Sequence, residues 1–171
     1  MVPPTCLAAL TALVRLFDAQ IESLGFLLDE VLKLLENCIQ HDTEAVARIG
    51  VEGFKQLLLL AGKKLQPHQW EKVTQCILQL FNDSMPTQLL CTDTQSSGDQ
   101  LPFRRDDVVI KCVVQLLLID MLQDTVSQHY SQIPPSGVMT LVDALQQSFE
   151  FAQEFNKQIE LRQVLKKRGF M

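Results

Sequence analysis

Aromatic residues are scarce here: one Trp, one Tyr and nine Phe in a chain of 171 residues. Strand signals are nearly absent as well, because apolar residues recur at helical spacing and hardly ever alternate, which argues against a sheet. A positive excess is missing too. Fifteen Lys and Arg against 20 Asp and Glu give a net charge of −5, leaving no electrostatic case for nucleic acid. The five cysteines (Cys6, Cys38, Cys76, Cys91, Cys112) are odd in number, far apart, and form no C-x-x-C pair. That pattern, with no secretory signal apparent at the start, predicts reduced thiols in an intracellular protein. No Gly-rich phosphate loop, metal-ligand cluster or G-x-S-x-G is present, so no catalytic residue, metal or cofactor is expected. His41, His68 and His129 stand alone near predicted helix ends and read as capping or solvated residues. Cys91 sits in a polar stretch where nothing nearby in sequence would lower its pKa. Asp106-Asp107 and the Glu150/Glu154 pair read as helix-terminus charge and a solvated face.

An uninterrupted apolar run is the last absence. "VVIKCVVQLLLIDMLQDTV" (108–126) comes nearest, with eleven Val, Leu and Ile. Each favours membrane insertion by about 0.3–0.6 kcal/mol, while a central Lys or Asp costs about 2.5–3.5 kcal/mol. Lys111 and Asp120 therefore cancel most of the gain, and the segment reads as a buried helix. Asp107, Lys111 and Gln115 step by four into one polar stripe with an i,i+4 ion pair. The polar positions then move to Asp120, Gln123 and Asp124, so the two ends of this helix should meet different neighbours, with Leu117 in the core.

Seven helices are predicted. The first runs from Thr5 to about Leu24, punctuated by Gly25, and the second over about 26–40. A third, over about 43–61, is capped by Asp42 or Thr43 and ends near Gly62. Pro67 opens a fourth that reaches about Asp83. Residues 86–103 form a polar surface loop. The fifth begins near Arg105 and is closed by "IPPSG" (133–137). Ser136 caps the sixth, and the seventh covers about 158–167 before Gly169. Such helices, paired by short turns, fit either a compact bundle or a solenoid of stacked antiparallel pairs. Pairs recurring every ~40–50 residues, as in HEAT or armadillo repeats, favour the solenoid. The fold class expected is all-α, one HEAT-like region over 1–171.

The last segment is basic: Lys157, Arg162, Lys166, Lys167 and Arg168 against a single acid, Glu160. Arg162, Lys166, Lys167 and Arg168 are candidates for contact with acidic lipid headgroups or an acidic partner, set against the plainer role of favourable charge at a helix C-terminus.

Three stretches go further than periodicity. "HDTEAVARIGVEGFKQLLLLAGKKLQPHQW" (41–70), "VIKCVVQLLLI" (109–119) and "FAQEFNKQIELRQVLKKRGF" (151–170) resemble, in order and approximate spacing, C-terminal HEAT-like homology regions. The family is the large, brefeldin-sensitive Arf guanine-nucleotide exchange factors, the Sec-seven/BIG group, and the fungal members in particular. Asp42, Glu44, Ala47, Arg48 and Gly50 match its D-x-E-x-x-A-R-x-G helix start, and Pro67 and Trp70 the following cap. Ile110, Lys111, Cys112, Gln115 and Leu116 match its I-K-C-x-x-Q-L helix. Phe151, Ala152, Phe155, Asn156, Leu161, Arg162, Gly169 and Phe170 match the final motif; Lys166 stands where the family often carries Trp. The glutamate finger of the family's exchange domain, in an F-R-L-P-G-E-type loop, has no counterpart here. The resemblance thus implies a non-catalytic regulatory or scaffolding segment, in the cytoplasm and peripherally at the trans-Golgi membrane. Its implied partners are the rest of the exchange factor, small GTPases of the Arf/Rab type and an anionic membrane surface. A fragment of a longer protein is expected on this reading. The alternative is a self-standing helical-repeat adaptor.

Overall fold

The computed structural model describes residues 4–90, 103–167 and 169. Among these, eight α-helices follow one another: α1 (Pro4–Ala19), α2 (Ile21–Leu24), α3 (Leu28–Ile39), α4 (Glu44–Ala61), α5 (Pro67–Asp83), α6 (Arg105–His129), α7 (Pro135–Lys157) and α8 (Ile159–Lys167). The all-α expectation holds. The first predicted helix is broken at Gln20, where the backbone leaves helical geometry, and α2 continues through a 3-10 turn (Gly25–Leu27) into α3. The predicted loop starts as a second 3-10 turn, Thr87–Leu89; Cys91 and most of that loop lie outside the described residues.

The pairs α1–α3, α4–α5 and α6–α7 are stacked. α1, α4 and α6 pack side by side as one layer, α3, α5 and α7 as the other, and α4 is also seated against α3 across the layers. The sequence permits this seating through small residues. A Cβ on Gly50 would come within 2.7 Å of the Ile39 backbone nitrogen, and one on Gly53 within 2.5 Å of the Leu10 side chain. Ala47 and Ala61, on the same helix, are fully buried. Larger side chains fill what remains: Trp70, Phe54, Phe81, Leu57, Ile77, Leu118 and Met121 are all buried in one continuous core. Surface ties add little energy but mark the stacking. Asp29 on α3 holds Lys72 on α5 at 2.6 Å, and Asp18 on α1 holds Lys64 at 2.7 Å.

Several local expectations are corrected. Thr43 makes no side-chain cap; its own N–H donates to His41 Nδ1 at 3.0 Å. Helix α7 starts at Pro135, one residue before Ser136, whose hydroxyl instead meets Glu71 at 3.4 Å. Gly62 does end α4, but in right-handed geometry; it is needed for space, since a Cβ there would lie 2.7 Å from the His129 ring. Pro67 opens α5 as expected, with Gln66 and Gln69 closing a reciprocal capping box.

His129 is the largest departure. It is neither capping nor solvated: only 2% of it is exposed, and it lies tilted against Trp70 with ring centroids 5.7 Å apart. Burial, reinforced by the Lys63 ammonium, holds its imidazole below the usual His range, against the opposing pull of the Leu58 carbonyl. The unfolded chain takes up this proton below about pH 6.5 while the folded state resists it, so stability is present above that pH and falls as pH drops through it. The slope from this group reaches at most ~1.4 kcal/mol per pH unit. Urea titrations between pH 7.5 and 5 should show a component that His129→Leu removes; an unchanged pH profile in the variant would contradict the burial.

Candidate interaction surfaces

The motif residues fall into two kinds, those that fasten helices together and those that reach solvent. At the start of α4, Asp42 lies just before the helix and Glu44 opens its first turn, where acidic charge meets the helix dipole favourably. Arg48 reaches back to Glu44 at 2.7 Å, leaving Ala47 and Gly50 to form the packing face. Trp70, one turn into α5, is fully enclosed.

Gln115 is the hub of the α6 motif. Its side-chain amide donates to the Phe81 carbonyl at 2.7 Å and to Ser84 Oγ at 3.0 Å, and its carbonyl accepts from Ser148 Oγ at 2.8 Å. One residue thereby ties the end of α5 to α6 and α7. Of the polar stripe predicted through Asp107, Lys111 and Gln115, Gln115 is buried between helices, and Asp107 lies beside Arg104 at 3.8 Å. Further along, Asp120 and Asp124 both hold Lys55 of α4, and their hydrogen bonds push the Lys55 ammonium well above its ordinary range. Gln115→Ala removes the amide donor to the Phe81 carbonyl and Ser84 Oγ and the acceptor of the half-buried Ser148 hydroxyl, so it should cost about 1–3 kcal/mol. A double-mutant cycle with Ser148→Ala would measure the coupling; additive losses would sink this assignment.

Cys112 belongs to a second, smaller core at the far end of the α6–α7 pair. Leu161 and Leu165 of α8 are buried there with Leu89 and Val108, and Phe103, Phe151 and Phe155 pack around them. The described cysteines are free thiols. Burial, with the Glu36 carboxylate adding to it, pushes Cys76 up to about 12, while burial also raises Cys38 and Cys112. None of these three is poised as a nucleophile.

Anchoring α8 by Leu161 and Leu165 turns its cations outward. Arg162 and Lys166, four residues apart, share one side of the helix, and Lys167 lies on another; all three are exposed. Arg162 also hydrogen-bonds the Asn156 carbonyl at 3.5 Å across the α7–α8 corner. Lys157 sits 3.9 Å from Glu154. Arg168 and Phe170 fall outside the side chains described, and Gly169 adopts φ +73°, a left-handed stop after the helix. Among the described residues no three His, Cys, Asp or Glu side chains gather as for a metal ion, and no helix is long and apolar enough to cross a membrane.

Comparison with known proteins fits this geometry. Residues 113–171, which are most of α6 with α7 and α8, match the family model described as the BIG2 C-terminal domain. Over 98% of its length the chain is 27% identical to the ADP-ribosylation factor guanine nucleotide-exchange factor sec72 of Schizosaccharomyces pombe. Over 92% it is 26% identical to sec71 of the same yeast. Over 57% it is 34% identical to the human Brefeldin A-inhibited guanine nucleotide-exchange protein 1. The chain spans only 11%, 10% and 5% of those relatives, respectively. No solved structure matches it. The resemblance carried by the motifs thus extends along nearly the whole chain.

Proposed function

We propose, from the premise that this chain is a C-terminal region of the large Arf guanine-nucleotide exchange factors, that it is a non-catalytic regulatory and scaffolding segment working by contact. The observation that carries this reading is the match of almost the entire chain to about a tenth of an exchange factor. The geometry supports it. Among the described residues, the buried Gln115 spends its polar atoms fastening α5, α6 and α7 to each other. On this reading the molecule works in the cytoplasm, peripherally at Golgi or trans-Golgi membranes. Its partners are the remainder of the exchange factor, small GTPases of the Arf/Rab type, and anionic lipid met by Arg162, Lys166, Lys167 and Arg168.

Two measurements test this. Added alone to Arf loaded with a fluorescent guanine nucleotide, the chain should leave the release rate at the buffer value, and it should bind sec72 from which the matching segment has been deleted. Accelerated release, or no binding to the truncated factor, would overturn the assignment. Flotation with vesicles containing phosphatidylserine should weaken when Arg162, Lys166, Lys167 and Arg168 are changed together to Glu; equal flotation would dismiss the lipid contact.

A further inference from the structure

Each stacked pair in this molecule offers a groove between its two helices. The groove of α1–α3 is filled by α4, whose Gly53 sits over Leu10 and Leu35. The groove of α4–α5 is covered by α6 and α7. The groove of α6–α7 is left uncovered by the described residues. Ile119, Leu122 and Val126 form one wall and Val138, Leu141 and Val142 the other, with Leu145 beside them, enclosing about 440 Å³. Ile119 and Val142 are 37% and 46% exposed, and elsewhere on the same two helices Leu116 and Phe149 are 68% and 62% exposed. So much uncovered aliphatic surface on one face marks a contact site. Helix α8 packs only at the other end of the pair, against Val108, Cys112, Phe151 and Phe155.

Charge says what kind of helix fits. From Cys112 to Asn156 there is no Lys or Arg, while Asp120, Asp124, Asp143, Glu150 and Glu154 are all acidic. Asp120 and Asp124 are paired with Lys55 on the side facing α4, whereas Asp143 and Glu150 are exposed along α7 with no cation beside them among the described ion pairs, Glu150 accepting only from the neutral Gln146 at 2.8 Å. We infer that the α6–α7 groove receives a cationic amphipathic α-helix from a protein partner, its aliphatic stripe laid along Ile119–Val126 and Val138–Phe149 and its Lys or Arg residues facing Asp143 and Glu150. Leu116 to Val126 spans about 15 Å at a helical rise of ~1.5 Å per residue, room for roughly three turns. Aliphatic anchors at i, i+3/i+4 and i+7 in a preformed trough supply the affinity, and the acidic rim sets partner choice. The inference names a partner class for the contact role proposed above; its test reads binding alone, so its failure leaves the exchange-factor reading untouched.

The probe is a fluorescent leucine–lysine peptide of about 14 residues with helical period, compared with its leucine–glutamate counterpart and with a leucine–lysine peptide of scrambled period. Titrated by anisotropy into the full chain, the first should bind saturably, one to one. The other two should bind at least about tenfold more weakly, as should the first to Val142→Asp or Ile119→Asp, each checked for native circular dichroism. Leu59→Asp, which changes an exposed leucine on α4, should bind like the parent. Unaltered binding to Val142→Asp, or equal binding of the acidic peptide, would overturn the proposal. So would self-association of the chain that Val142→Asp abolishes, since the groove would then belong to a second copy.

Discussion

Trp70→Ala is expected to lower the free energy of unfolding by about 3–5 kcal/mol. The indole is fully enclosed, near the start of α5, and its ring meets His129 at 5.7 Å. Truncation leaves a void between α5 and the end of α6, beside the buried His129 ring. Domains of this kind hold about 5–15 kcal/mol in total, so the loss removes a large share of the stability. The measurement is urea unfolding followed by far-ultraviolet circular dichroism, because the substitution removes the sole tryptophan. Trp70→Phe should recover part of the loss. A penalty under ~1 kcal/mol for the alanine variant would mean that the ring is not enclosed as described.

Leu118→Ala should cost about 2–5 kcal/mol, and Leu117→Ala distinctly less. Leu118 is fully buried in the main core, whereas Leu117 only packs against it and is half-exposed. The order of the two losses is the informative result, for it fixes which face of α6 looks inward. Reversal of the order would mean the helix is turned by one residue.

That one-residue difference shows where sequence reasoning runs out. Several helices could be placed because Pro67 and the "IPPSG" turn mark their ends by backbone chemistry, which is local; Gly25 missed the break at Gln20, and Gly62 marks an end for a reason of space. The buried character of α6 was legible as well, since it has too few polar positions to face water on one side. Its inward face was not, because α6 has neighbours on several sides and no single apolar stripe. By spacing alone Gln115 belongs to a polar stripe with Asp107 and Lys111; its partners Phe81, Ser84 and Ser148 are more than 30 residues away and leave no local trace. His129 was misplaced for the same reason, its surroundings being built from α4 and α5. Of the candidate surface, the basic residues of α8 were visible as composition, and the buried Leu161 and Leu165 explain why they face outward. The α6–α7 groove was invisible, because an open face is a property of the stack.

The glycines of α4 bear on how the chain acquires its shape during synthesis. A mid-helix glycine weakens a helix by roughly 1 kcal/mol relative to alanine, and α4 carries two, Gly50 and Gly53. Left to itself, this segment winds poorly. It gains order only when it can nestle against Leu10, Leu35 and Ile39, all of which leave the ribosome first. The α1–α3 pair thus serves as a template for its successor.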